Sequence, residues 1–159
     1  MSNFTHLSPD HRATMVDTSH KPPSLRSATA RSIVVLPQNV LDALLTAGNE
    51  LRSPKGSVFQ TAVLAGIMAA KKTGDLIPLC HPLGLDNCQI DIQLDENQRV
   101  VIDCTATVTA RTGVEMEALV GASIAALTVY DMCKALSHDI VILDTRLMAK
   151  TGGKRDFAR

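Results

Sequence analysis

A chain of 159 residues, 45% hydrophobic and 20% charged, has the size and composition of one globular domain and can bury a core without disulfide or metal staples. Lysine plus arginine balances aspartate plus glutamate at 16 each, which removes any bulk electrostatic drive toward nucleic acid or an anionic membrane and leaves local clusters to bind small anions. Aromatic residues are 3% and tryptophan is absent, so the core must be aliphatic.

Residues 1–24 contain Pro9, Pro22 and Pro23, follow no hydrophobic period and read as a flexible N-terminal arm. They lack the apolar stretch of a secretory signal, so a cytoplasmic location is expected. A first strand is predicted over 25–36 from its β-branched residues and two-residue alternation. Pro37 then opens a short helix through Leu41, Leu44 and Leu45 that stops near Gly48. The breaker-rich stretch 48–57 is predicted to be a mobile loop carrying Lys55.

A helix is predicted over 58–72, with Lys71 and Lys72 suiting the negative pole of its dipole. Residues 75–85, DLIPLCHPLGL, read as an ordered loop. Two alternating strands follow at 88–94 and 100–108, joined as a hairpin by the turn 95–98. A long helix spans 114–136. Its uncharged run, 118–130, is too short for a bilayer span and includes Gly121, Ser123 and Thr128, as a buried helix would. A last strand covers 140–148, and 151–159 form a basic C-terminal tail.

The order β-α-α-β-β-α-β predicts an α+β fold, a ferredoxin-like antiparallel sheet with helices packed on one face, forming one catalytic domain over 25–150. A helix apolar on nearly every side needs cover on every side. One small sheet covers only part of it, so a homo-oligomer is expected.

Four cysteines at 80, 88, 104 and 133 show no C-x-x-C spacing. They suggest neither a zinc site nor a disulfide framework, and no resident metal or cofactor is expected. Cys88, Cys104 and Cys133 read as small core residues.

The chemistry sits where polar residues interrupt apolar segments. Asp131 and Lys134, three apart on one helix, share a face. They could be an ordinary surface ion pair, but their apolar neighbours point equally to partial desolvation, where the lysine can hold the carboxylate ionised as a base or deliver a proton itself. Glu117 and Asp131 lie about 21 Å apart on a straight helix. They cannot serve one small-molecule pocket from the same chain, so a pocket using both must lie between subunits. Glu115 and Glu117 point to opposite sides in a helix and to the same side in extended chain, and spacing leaves both open.

In PLCHPL two prolines fix the backbone around Cys80 and His81. A catalytic Cys-His pair is disfavoured because adjacent side chains point apart. His81 reads either as a hydrogen-bond partner of the scaffold or as one for a polar ring. Lys55, between Pro54 and Gly56, resembles a lid residue. The tail TGGK lacks P-loop spacing, although its glycines and Lys154 could cradle a phosphate oxygen. A nucleotide-binding sensor is the non-enzymatic alternative for such a chain.

Together MVDTSHK, AGIMAAKKTGDLIPLCHPL, RTGVEMEAL, LTVYDMCKAL and KTGGK resemble the MoaC family of molybdenum-cofactor biosynthesis, the cyclic pyranopterin monophosphate synthases. The similarity runs from about residue 15 to 154. It implies a ferredoxin-like subunit in a homohexamer, a trimer of dimers with active sites at dimer interfaces. It also implies a GTP-derived cyclic nucleotide as substrate, converted to a cyclic pterin phosphate with loss of diphosphate. Any Mg2+ would accompany the substrate triphosphate. By position, Asp131, Lys134 and Lys55 match the catalytic residues. Leu79, Cys80, His81, Met116 and Glu117, with Glu115 beside them, match substrate-contacting segments, and Lys71 belongs with the basic pocket. Val63 stands where many relatives carry a basic residue, and the tail reads TGGKRD where SGGKSG is commoner.

Overall fold

The computed structural model describes residue 10 and residues 12–46 and 48–159. Its elements are β1 (Ser24–Val35), α1 (Gln38–Leu44), β2 (Arg52–Ser53), β3 (Gly56–Ser57), α2 (Val58–Ala70), α3 (Thr73–Leu76), β4 (Asn87–Leu94), β5 (Val100–Ala110), α4 (Glu115–Cys133), β6 (Val141–Thr151) and β7 (Phe157–Ala158). The main sheet is antiparallel in the order β4-β5-β1-β6-β7. Without the terminal β7 this is the ferredoxin-like arrangement, with β1 and β5 at the centre and helices on one face.

Alternation produces this layering. Along β1, Ala28, Ala30, Ser32 and Val34 are buried toward the helices, while their neighbours turn outward. There Thr29 meets Thr105 at 2.8 Å, and Arg31 grips Asp103 through two bonds of 2.7 Å. On β5, Val100, Ile102, Cys104, Ala106 and Val108 complete the same inward stripe. Burying a side chain the size of Ile102 stabilises the fold by about 1.5–3 kcal/mol. The one hydroxyl in the β1 stripe, Ser32, is satisfied by Thr145 at 2.6 Å, as a buried polar group must be.

Helix α4 is long and apolar enough, by length and composition alone, to cross a membrane. It packs instead against α2 and strands β1, β5 and β6. Small residues make close packing possible: Ala118, Gly121, Ala122, Ala125 and Ala126 are all buried. The opposite side remains open, with Leu127 on α4 and Leu64 and Met68 on α2 more than half exposed.

Four local expectations are corrected. The stretch 48–57 is not simply a loop: β2 and β3 pair as a minimal hairpin, Arg52 with Ser57 and Ser53 with Gly56. Pro54 and Lys55 form its tip. The α2 helix ends at Ala70, and a separate turn of helix, α3, precedes the PLCHPL loop. The long helix stops at Cys133 with Lys134 as its C-cap. Strand β6 continues to Thr151, and the tail folds back so that β7 pairs with it, Phe157 opposite Lys150.

Candidate active site

Two groups of the expected residues lie at opposite ends of α4. This follows from the helix pairing: α2 and α4 run antiparallel, with Gly66 near Gly121 and Ala125, and Ala70 near Gly121. The N-terminal end of α2 therefore meets the C-terminal end of α4, and the reverse.

At the N-terminal end of α4 a cavity of about 350 Å³ opens between the PLCHPL loop, the helix start and the segment before β1. Leu79, Cys80, His81, Glu115, Met116 and Glu117 all line it. Glu115 and Glu117 fall in the first turn of α4, which answers the open question of their geometry in favour of helix. Carboxylates there suit the positive pole of the dipole. Glu117 is only 3% exposed. Burial pushes its carboxyl above the usual range, partly offset by its own backbone N–H, and the charge of Glu115 adds to the upward shift.

The Cys80 thiol is also pushed up, by burial and then by the charge of Glu117. A thiol so disfavoured as thiolate is a poor nucleophile, consistent with setting aside a Cys-His pair. His81 places Nε2 at 2.8 Å from the carbonyl oxygen of Val16. Because a carbonyl only accepts, Nε2 carries the proton in this contact.

A second cavity of about 240 Å³ adjoins the first. The two share Lys21, Thr112, Gly113 and Glu115. Its other charged lining residues are Arg26, Arg111, Lys150 and Lys154, all cationic. Glu115 accepts a hydrogen bond from Lys150 Nζ at 2.7 Å. Burial pushes the Glu115 carboxyl up, but the Lys150 bond and charge outweigh it and hold the group below its usual value. Arg26 is anchored through Nε to the Ala110 carbonyl at 3.0 Å. Gly152 adopts φ +81°, and an added Cβ would strike the Leu25 carbonyl oxygen. Its N–H already donates to Asp156 at 3.2 Å. The TGGK turn therefore serves the cavity through Thr151, Gly153 and Lys154, not through the amide of Gly152.

Sequence reasoning did not nominate Lys21, Arg26, Arg111 or Lys150 for the site. Three of them bordered segments already singled out: Lys21 ends MVDTSHK, Arg111 begins RTGVEMEAL and Lys150 begins KTGGK. That adjacency was the available signal.

The second group sits at the other end of α4. Lys134 Nζ lies 2.6 Å from Asp131 Oδ1. Asp131 is held below the ordinary carboxylate range by that hydrogen bond and by the charge of Lys134, and the charge of Lys55 adds to the effect. Lys134 is raised in turn. The hairpin tip thus brings Lys55 into the electrostatic neighbourhood of Asp131. Of the two readings left open for this pair, the single subunit shows the exposed one, with side chains 51% and 57% exposed. Asp131 lies in the last turn of α4 and Lys134 caps it, where the helix ends.

Lys71 lies at the Glu117 end, in a cavity of about 270 Å³ that also takes in Asp75 and Glu117. Among the described residues no group of three or more histidine, cysteine, aspartate or glutamate side chains is placed to hold a metal ion.

Comparison with known proteins accords with this geometry. The family model described as the MoaC family matches residues 15–153. A cyclic pyranopterin monophosphate synthase of Xanthomonas oryzae pv. oryzae is 54% identical over 156 residues, spanning 98% of this chain and 93% of the relative. One from Xanthomonas campestris pv. campestris is equally similar, over the same shares of both chains. A molybdenum cofactor biosynthesis bifunctional protein of Synechocystis is 47% identical over 160 residues, spanning 98% of this chain and 46% of that longer protein. With a match over nearly its whole length, the chain belongs to the MoaC family.

Proposed function

We propose that this chain is the subunit of a cyclic pyranopterin monophosphate synthase, a lyase of molybdenum-cofactor biosynthesis. It converts (8S)-3′,8-cyclo-7,8-dihydroguanosine 5′-triphosphate into cyclic pyranopterin monophosphate and diphosphate. The observation that carries this reading is the pair of joined cavities. One is lined by polar ring partners, Cys80, His81 and Glu117. The other is lined by Lys21, Arg26, Arg111, Lys150 and Lys154. A purine-derived ring bearing a triphosphate needs both, side by side.

In this reading Glu117 accepts hydrogen bonds from the guanine-like edge of the substrate, and His81, Leu79, Cys80 and Met116 bound the ring. Glu115 stands at the junction and passes Lys150 to the phosphates. The cations hold the triphosphate and stabilise the departing diphosphate, the principal electrostatic demand of such a step. Asp131, kept ionised by Lys134 and Lys55, moves protons during ring opening and closure. No resident cofactor is assigned, and any Mg2+ arrives with the substrate phosphates.

The two groups lie at opposite ends of α4, so the catalytic end must come from a neighbouring subunit. The exposed side chains of Leu64, Met68 and Leu127 supply apolar surface for such an association. The assembly assigned is a homohexamer, a trimer of dimers, in the cytoplasm. No nucleic acid or membrane partner is assigned.

The test is direct. Purified protein incubated with the cyclic nucleotide should release diphosphate and yield an oxidisable, fluorescent pterin in equal amounts. Return of the nucleotide unchanged would favour a sensor and overturn the reading.

A further inference from the structure

Among the described residues Lys21 is the one cation common to both cavities, yet it belongs to no strand or helix. It ends a short segment that forms part of the wall of the ring cavity, to which Val16 and Thr18 also contribute. Within the segment, the Ser19 amide donates to Asp17 at 2.8 Å and the Lys21 amide to the Thr18 carbonyl at 3.0 Å. These bonds shape a turn but do not fasten it to the body of the fold. The bond from His81 Nε2 to the Val16 carbonyl does, at 2.8 Å. His81 is itself fixed between Pro78 and Pro82 in a loop whose backbone has little freedom.

We propose that His81 is a positioning residue that latches segment 16–21 at the ring cavity, setting Lys21 at the boundary between ring and phosphate subsites. The latch rests on the synthase reading for its purpose, though not for its existence. A flexible lysine contributes to anion binding only after the entropy of placing it is met. A turn pinned at Val16 meets that cost before the substrate arrives. Because Nε2 must donate, the bond forms with neutral imidazole protonated at Nε2 as well as with imidazolium.

Hydrogen exchange and kinetics test the proposal together. In the ligand-free protein, His81→Ala should speed exchange of the Ser19 and Lys21 amides about fivefold, the effect of losing one ordinary hydrogen bond. His81→Gln, whose amide nitrogen can stand in for Nε2, should stay close to wild type. If His81→Ala does not fold, His81→Asn replaces it, since the shorter amide cannot reach Val16. With substrate, the unlatched variant should raise KM more than it lowers kcat.

Unchanged exchange or an equally fast Gln variant would each overturn the latch. Exchange behaving as described in a protein that releases no diphosphate would leave the latch standing and remove the synthase reading.

Discussion

Gly66 on α2 and Gly121 on α4 touch across the helix crossing with no room for a methyl on either side. A Cβ on Gly66 would come within 2.7 Å of the Gly121 carbonyl oxygen, and one on Gly121 within 2.6 Å of the Cys104 sulfur. Neither neighbour can yield easily, since one is backbone and the other is a buried side chain of the central strand β5. This contact sets how closely the helices pair, and so sets both ends at which functional groups gather. Gly121→Ala should lower the unfolding free energy by about 1–3 kcal/mol through overpacking. Urea denaturation measures it, and an unchanged midpoint would mean that the crossing relaxes freely.

The buried Glu117 predicts a pH-dependent stability with a definite sign. Its carboxyl is raised above the ordinary 4.5 by burial, and Glu115 adds to the shift. The fold thus prefers the neutral acid. Stabilisation from this group is complete below the unfolded value and is lost as pH rises through the raised one. Lys71 and Asp75 are the other charged residues lining the adjoining cavity. Glu117→Gln, which cannot ionise, should equal wild type in acid and surpass it near neutrality. A stability difference independent of pH would contradict the assignment.

Asp131 offers a separate test, because it is exposed and its replacement leaves the core intact. Asp131→Asn removes the charge and the proton acceptor while preserving shape. Diphosphate release should fall at least about a hundredfold, the usual contribution of a positioned acid or base, with substrate affinity nearly unchanged. Calorimetric titration beside steady-state assay separates the two. Near-normal turnover would exclude Asp131 from the chemistry.

Subunit mixing tests whether neighbouring chains share a site. Glu117→Gln and Asp131→Asn subunits, each inactive alone, should on random one-to-one reassociation recover about a quarter of wild-type activity. Half of the pairs are then mixed, and each mixed pair holds one intact site and one doubly altered site. No recovery, after mixed assemblies are verified by mass spectrometry, would place each site within one chain.

What the sequence made legible follows from periodicity. The alternation of 88–94 and 100–108 appears as β4 and β5 within two residues at either end, and the apolar run of α4 marked the core helix. Three-residue spacing placed Asp131 beside Lys134, as found at 2.6 Å. The paired stretches of β2, β3 and β7 were not visible, because two residues carry no period. The basic cavity was missed for another reason: Lys21, Arg26, Arg111 and Lys150 come from separate stretches of chain, and only the folded sheet brings them together. The exposure of the Asp131 pair stayed open in the sequence, because apolar neighbours along a helix do not reveal which of its faces is covered.

The place of β1 at the middle of the sheet has a consequence for how the protein is made. Ser24 pairs with Ala110 on one side, and Ser27 with Thr151 on the other. As the chain leaves the ribosome, its first strand finds no permanent neighbour until β5 has followed, and its second flank stays bare until β6 has been made. Such distant pairings form slowly and leave apolar strand surface uncovered meanwhile. The first strand therefore stays open to wrong partners until both of its neighbours have been made.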